Sequence, residues 1–124
     1  MNKDSHRYNY YDKDGNEIKY DKWVQMISDF SYRIIDYYEI GPYRVSTVWM
    51  GVNHNIRGEP IHVFETMIFR VNEYEGERDE LDGYQARYST LTEAVNGHER
   101  AVKMVIQAVN RTDQVHREVE DRMD

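Results

Sequence analysis

The residues best suited to recognise a ligand lie in a short polar segment near the middle of the chain. His54, Asn55 and Arg57 place an imidazole, an amide and a guanidinium group within four positions. A guanidinium group binds phosphate through two parallel hydrogen bonds, and amides and imidazoles bond hydroxyl groups and base edges. These residue types therefore predict recognition of a polar, anionic small molecule.

The segments on either side are expected to hold this loop on a β-hairpin. Residues 45–69 read VSTVWMGVNHNIRGEPIHVFETMIF, with β-branched and aromatic residues flanking the polar loop. Such a pattern is typical of two paired strands. We predict strands over residues 43–53 and 61–71, with others over 32–39 and 85–88. Asp14-Gly15-Asn16 and Gly41-Pro42 predict tight turns.

Two helices are predicted. Residues 21–29 fit a short amphipathic helix with Asp21 as its N-cap, and its apolar face comprises Trp23, Met26, Ile27 and Phe30. Near the C-terminus, Thr90 and Glu93 form a capping-box pattern. The helix that follows has a seam of residues spaced three and four apart: Val95, His98, Val102, Val105, Val109, Thr112, His116, Val119 and Met123.

The length of this second helix predicts self-association. About 30 helical residues span roughly 45 Å, whereas a domain of this size is only about 30 Å across. An overhanging apolar seam needs a partner, and a second copy of the chain is the simplest one, so we predict a homodimer or a higher assembly of dimers. The alternative is a monomer whose helix frays after Asn110.

The predicted fold is a single α+β domain over residues 1–124. It comprises a flexible tail at 1–7, an antiparallel sheet of about four strands with a short helix at 8–88, and a long helix at 90–122 that mediates dimerisation. The formal net charge of −7 argues against binding a nucleic acid polymer. The chain contains no cysteine, no apolar run long enough for a membrane and no signal-peptide core, which predicts a cytoplasmic protein.

The sequence offers no catalytic motif. Histidine spacings typical of zinc sites, a nucleophile elbow and a phosphate-binding glycine pattern are all missing, so we predict no metal, no cofactor and no enzyme activity. Glu65 falls among the apolar positions Ile61, Val63, Met67 and Phe69, and we expect it to pair with Arg44, Arg87 or a histidine. A structural ion pair is favoured for it over catalysis.

Small-molecule binding fits the composition better. Candidate phosphate ligands are Arg44, Arg57, Arg87 and Arg111, and candidate stacking rings are Trp23, Trp49, Phe64 and Tyr88. For any single one of these residues, a place in the core or a solvated surface charge is the more common role. The argument depends on their combination with the loop amides.

Four motifs extend over residues 10–99: YYDKDGNEI, then RVSTVWMGVNHN, FETMIF and RYSTLTEAVNGHE. In these motifs the chain resembles the first-described family of phage proteins that block the Thoeris defence system. The resemblance implies a non-enzymatic protein that sequesters the cyclic ADP-ribose isomer made by a TIR-domain defence protein. Asn53 stands where the family pattern has an acidic residue.

From residue types and expected placement, we predict that Arg57 and Arg111 bind phosphate and that Trp23 stacks on the base. His54, Asn55 and Thr66 are predicted to make polar contacts; the family motifs support Trp23, His54 and Thr66. Two other functions stay open. One is inhibition of a host or defence enzyme through the acidic surface around residues 72–83, and the other is nucleotide degradation by Glu65 with His54 or His98.

Overall fold

The alternating apolar residues in the middle of the chain form an antiparallel sheet with a long helix on one face. The computed structural model describes residues 8–53, 60–71 and 80–123. Its elements in chain order are β1 (Asn9–Tyr11), β2 (Glu17–Ile18), α1 (Tyr20–Ile27), α2 (Phe30–Arg33), β3 (Ile34–Ile40), β4 (Tyr43–Trp49), β5 (Val52–Asn53), β6 (Phe64–Arg70), β7 (Gln85–Tyr88) and α3 (Leu91–Met123). The predicted α+β fold is confirmed.

The main sheet has four strands in the order β3-β4-β6-β7, all antiparallel. β4 and β6 pair from Tyr43↔Arg70 to Trp49↔Phe64, which confirms that these two segments form a hairpin. The prediction of one strand over 43–53 was wrong. The chain turns at Gly51, whose φ is +68°, and β5 then joins β1 and β2 in a small sheet ordered β2-β1-β5.

The face of β6 that packs against the helix is the opposite of the expected one. Phe64, Thr66 and Ile68 are buried beneath α3, because they pair with the helix-facing residues of β4. Glu65 lies on the opposite, open face together with Met67 and Phe69, but it is itself buried, as expected, with 7% of its surface exposed. Alternation alone could not distinguish the faces, because both carry apolar residues.

In the N-terminal region, the predicted turn at Asp14-Gly15-Asn16 is confirmed, whereas the predicted start of the first helix was wrong. The Asp12 carboxylate accepts hydrogen bonds from the amides of Asp14 and Asn16, both at 2.9 Å, while Gly15 has a φ of +87°. Helix α1 starts after Lys19, so Asp21 lies in its first turn and is not its N-cap.

Phe30 also departs from its predicted place on the apolar face of the first helix. It starts the separate helix α2, and its side chain is exposed. Asp29 caps α2 by accepting from the amides of Ser31 and Tyr32. The Ser31 hydroxyl also donates to this carboxylate, at 2.7 Å, and this bond, followed by the amide bonds, lowers the pKa of Asp29. The cap therefore starts a new helix where the sequence predicted the end of the first one.

Helix α3 begins at the predicted cap. The Thr90 hydroxyl oxygen accepts from the Glu93 amide at 3.1 Å and the hydroxyl donates to the Glu93 carboxylate at 3.0 Å. At about 1.5 Å per residue, its 33 residues span roughly 50 Å. Residues from Asn110 to Arg122 are all exposed, so the helix extends beyond the sheet as expected. Of the predicted seam, His98 and Val105 are buried, whereas Val95 is exposed.

The core beneath α3 consists of two apolar clusters separated by polar residues. The Tyr43 cluster consists of Tyr43, Val45, Ile68, Ala101 and Val105. The Trp49 cluster consists of Trp49, Val63, Phe64, Tyr88 and Ala94. Between them lie Thr47, Thr66 and His98, which we name the polar layer. Among the described residues, no helix combines the length and apolarity needed to cross a membrane.

Candidate functional site

Three of the six predicted site residues lie outside the described residues. His54, Asn55 and Arg57 fall within residues 54–59, so their roles stay predictions. The structure describes the stem of this hairpin and the other three residues, Trp23, Thr66 and Arg111.

Trp23 holds the N-terminal region against the sheet. Its indole N–H donates to the Met50 carbonyl at 2.8 Å, and its ring packs on Tyr10, with the centroids 4.9 Å apart. Tyr20 continues this aromatic group 5.9 Å from the indole. Burial, followed by the charges of Tyr20 and Tyr8, raises the pKa of Tyr10, so its hydroxyl stays a neutral donor at pH 7.

A cavity of about 590 Å³ lies beside this aromatic group. Two tyrosines that the prediction did not include, Tyr10 and Tyr20, line it, and 54% of Tyr20 is exposed. Trp23 itself is only partly buried. The aromatic group can therefore offer a planar surface to a ligand, although the indole N–H is already engaged.

Thr66 belongs to the interior of the domain. Its side chain is fully buried under α3, where its hydroxyl lies 2.5 Å from that of Thr47. Thr66 is therefore not accessible to a ligand at the surface of this chain, and its predicted ligand contact stays a prediction. The observed contact gives Thr66 a structural role.

Arg111 lies on the exposed part of α3 at the opposite end of the sheet. It lines a cavity of about 400 Å³ with Tyr43, Arg70, Glu80, Leu81, Ala108 and Thr112. Among the residues that the structure describes, the Arg111 side chain has no hydrogen-bond or ion-pair partner. Arg70, whose guanidinium carbon lies 5.9 Å from the Tyr43 ring centroid, supplies a second cation to this cavity.

Sequence analysis missed Arg70. The signal that would have found it is the register of the hairpin, which pairs Arg70 with Tyr43 on the face of the sheet that α3 covers. Arg70, at the end of β6, therefore lies near the part of α3 that carries Arg111. The two cations and one aromatic ring can receive an anionic group.

The other arginines on strands have structural partners. Arg44 pairs with Glu39 at 3.3 Å and donates to the carbonyls of Gly41 and Tyr43. Arg87 lies 3.1 Å from the Glu65 carboxylate, which also accepts from Gln85 at 2.6 Å. The expected pairing of Glu65 with an arginine is therefore confirmed.

A single chain does not bring the predicted stacking and phosphate residues together. Trp23 contacts Met50, next to the end of β4, whereas Arg111 lies near Tyr43 at its start. Seven residues of strand at about 3.3 Å each separate the two by roughly 20 Å. The sequence could not indicate this separation, because it depends on the direction in which α3 crosses the sheet.

Two glycines of the quoted motifs have packing roles. A Cβ atom on Gly51 would occupy the position of the Trp49 ring, and one on Gly97 would occupy that of the Tyr88 ring. Trp49, Phe64 and Tyr88, which were candidate stacking rings, are core residues. Much of what makes the motifs specific is therefore explained by the fold.

None of the protein-family models, curated proteins and solved structures compared with this chain matches it. Within the described ranges, no group of three or more histidine, aspartate or glutamate residues is placed to hold a metal ion. The function must therefore be argued from the surfaces of this chain and from the motifs quoted above.

Proposed function

We propose that this protein sequesters a TIR-derived cyclic ADP-ribose isomer without degrading it and so blocks Thoeris immunity. The observation that carries the proposal is the cavity that has Arg70 and Arg111 in its walls beside the ring of Tyr43. The resemblance of residues 10–99 to phage proteins that block this system supports the same conclusion. Tight capture requires no catalytic group.

The chemistry of the ligand matches these residues. A cyclic ADP-ribose isomer has an adenine, two riboses and a pyrophosphate. Guanidinium groups bind the pyrophosphate, and an aromatic ring stacks on the base. The walls of this cavity carry two arginines against one glutamate, Glu80, in a chain whose formal net charge is −7. The acidic remainder of the surface repels nucleic acid polymers, which favours a small anion over an extended one.

The proposal includes a homodimer that completes the site. Trp23 and Arg111 lie roughly 20 Å apart along one chain, but the exposed end of α3 can carry Arg111 to a second copy. The exposed Val115 and Val119 give that end an apolar surface for the contact. In this arrangement, His54, Asn55 and Arg57 are proposed to contribute to ligand binding. The protein–protein inhibitor remains the alternative that a negative result would favour.

A capture-and-release assay tests the proposal. Purified protein is mixed with the cyclic product of a TIR-domain enzyme, free ligand is removed by filtration, and the protein is heated. Mass spectrometry of the released material is expected to return the ligand with unchanged mass. A changed mass would indicate an enzyme, and failure to retain any ligand would refute sequestration.

Two arginine variants on the same helix test the role of the cavity. Arg111→Ala is expected to lower ligand affinity at least 10-fold, because a phosphate loses a charge-assisted hydrogen bond. The matched control is Arg117→Ala, which removes the same charge from an exposed position outside this cavity. Equal affinity of the two variants would contradict the assigned role of Arg111.

A further inference from the structure

The polar layer ends at a third cavity, which the proposed function does not use. Thr66 bonds Thr47 at 2.5 Å, and the Thr47 hydroxyl lies 2.7 Å from Nδ1 of His98. The other ring nitrogen, Nε2, is directed toward Asp36 on β3, whose Oδ2 is 3.7 Å away. His98 is 3% exposed, so its ring is almost wholly enclosed by the core.

The carboxylate beside Nε2 favours one tautomer of His98. A carboxylate oxygen accepts only, so an N–H on Nε2 is favoured beside Asp36. Nδ1 then accepts from the Thr47 hydroxyl, and the Thr66 hydroxyl donates to Thr47. Burial lowers the pKa of His98, against the opposing effects of Asp36 and Glu99, so the ring is neutral at pH 7.

Asp36 reaches this position because of an irregularity in its strand. The register of β3 on β4 shifts between Ile34 and Asp36, so that Ile34 pairs with Val48 but Asp36 pairs with Thr47. Without the extra residue, alternation would direct Asp36 to the open face of the sheet. Bulges that redirect a side chain are frequent at binding sites.

The cavity has the size and composition of a small-molecule site. Its volume is about 400 Å³, and Tyr38, Val102 and Ile106 give it apolar walls. Asp36, Glu99 and Lys103 supply the charged groups that line it. Pockets of this size with apolar walls and a few polar groups are typical binding sites.

We propose that this cavity binds a small molecule that carries a primary carboxamide or lactam group on an apolar ring. His98 Nε2–H and the Asp36 carboxylate present a donor and an acceptor side by side, and their 3.7 Å separation exceeds hydrogen-bonding distance. A carboxamide has the complementary pair, since its carbonyl accepts and its N–H donates. The ring fills the apolar part of the cavity between β3 and α3.

Titration with benzamide, followed by NMR of the ¹⁵N-labelled protein, tests this site. Benzamide is expected to bind with a dissociation constant of about 1 mM, as suits a fragment of its size, and to shift the His98 Nε2 resonance. Benzoate fills the same volume but replaces the N–H donor with a negative charge, so it is expected to bind at least 10-fold more weakly. An unshifted His98 resonance, or equal binding of benzoate, would overturn the proposal.

Variants separate this site from the arginine cavity. Asp36→Ala should weaken benzamide binding about 10-fold and fold normally, because the side chain is 64% exposed. Glu118→Ala, a remote exposed carboxylate on α3, should change nothing. Arg111→Ala should also leave benzamide binding unchanged, so that loss of nucleotide capture alone would not affect this conclusion. Retention of full affinity by Asp36→Ala would refute it.

Discussion

At the scale of single residues, two glycines are required by neighbouring aromatic rings. Gly51 combines a φ of +68° with close approach of the Trp49 ring, so a larger residue would meet both backbone strain and a clash. Gly97 lies within α3, where glycine normally weakens a helix, and it lets the Tyr88 ring approach the helix backbone. Each glycine therefore stabilises the Trp49 cluster by allowing close packing.

Gly97→Ala is expected to destabilise the fold. Overpacking against a buried ring costs about 3 kcal/mol, and the gain in helix propensity returns about 1 kcal/mol, which leaves a net loss of about 2 kcal/mol. Urea denaturation measures this change. Asn96→Ala, at the exposed neighbouring position, isolates the propensity effect and should be neutral or slightly stabilising. A Gly97→Ala protein as stable as the wild type would contradict the packing argument.

The lowered pKa of His98 predicts loss of stability in mild acid. Burial keeps the folded-state pKa below its ordinary value of 6.5, so the unfolded chain binds a proton first as the pH falls. The stabilisation is complete above pH 6.5 and is lost progressively as the pH falls from there toward the lowered pKa.

Urea denaturation at several pH values checks this expectation. His98→Gln should be less stable at pH 7 and should show a smaller loss of unfolding free energy between about pH 7 and pH 5. His116→Gln, at an exposed position near the end of α3, should keep the wild-type slope. If the unfolding free energy of His98→Gln falls with pH as steeply as that of the wild type, His98 is not the source of the acid sensitivity.

At the scale of secondary structure, the sequence predicted those elements that have a local signal, either a helix cap or a hydrophobic period. The hairpin, β7 and the start of α3 were predicted because Thr90, Glu93 and the alternating β-branched residues act locally. Helix α2 and the bulge at Ile35 were not. A four-residue helix has no period to detect, and a bulge is determined by the register of the neighbouring strand.

The exposed end of α3 predicts a test of self-association. Val115→Glu with Val119→Glu places two charges on one helix face and should reduce the molar mass measured by light scattering to that of one chain. Asn110→Glu with Gln114→Glu adds the same charge at the same spacing on another face and should leave the mass unchanged. A wild-type protein that is already monomeric would refute the proposed dimer.

At the scale of the whole molecule, the sequence indicated the chemistry of the candidate site better than its location. Arg111 and Trp23 were selected for their side chains, and both are accessible at least in part. Their positions at opposite ends of β4 follow from the crossing of α3 over the sheet. Thr66 was also chosen for its hydroxyl group, but the pairing of β6 with β4 directs it into the core.

We expect the polar layer to divide the domain into two cooperative folding units. Hydrophobic burial acts within the Tyr43 cluster and within the Trp49 cluster, but Thr47, Thr66 and His98 contribute little of it between them. Each end can therefore open while the other stays folded, and the Trp49 end, with its larger side chains, should open less often. Native-state hydrogen exchange is expected to give higher opening free energies for β4 amides near Trp49 than for those near Tyr43. Equal values along the strand would mean that the core unfolds as one unit.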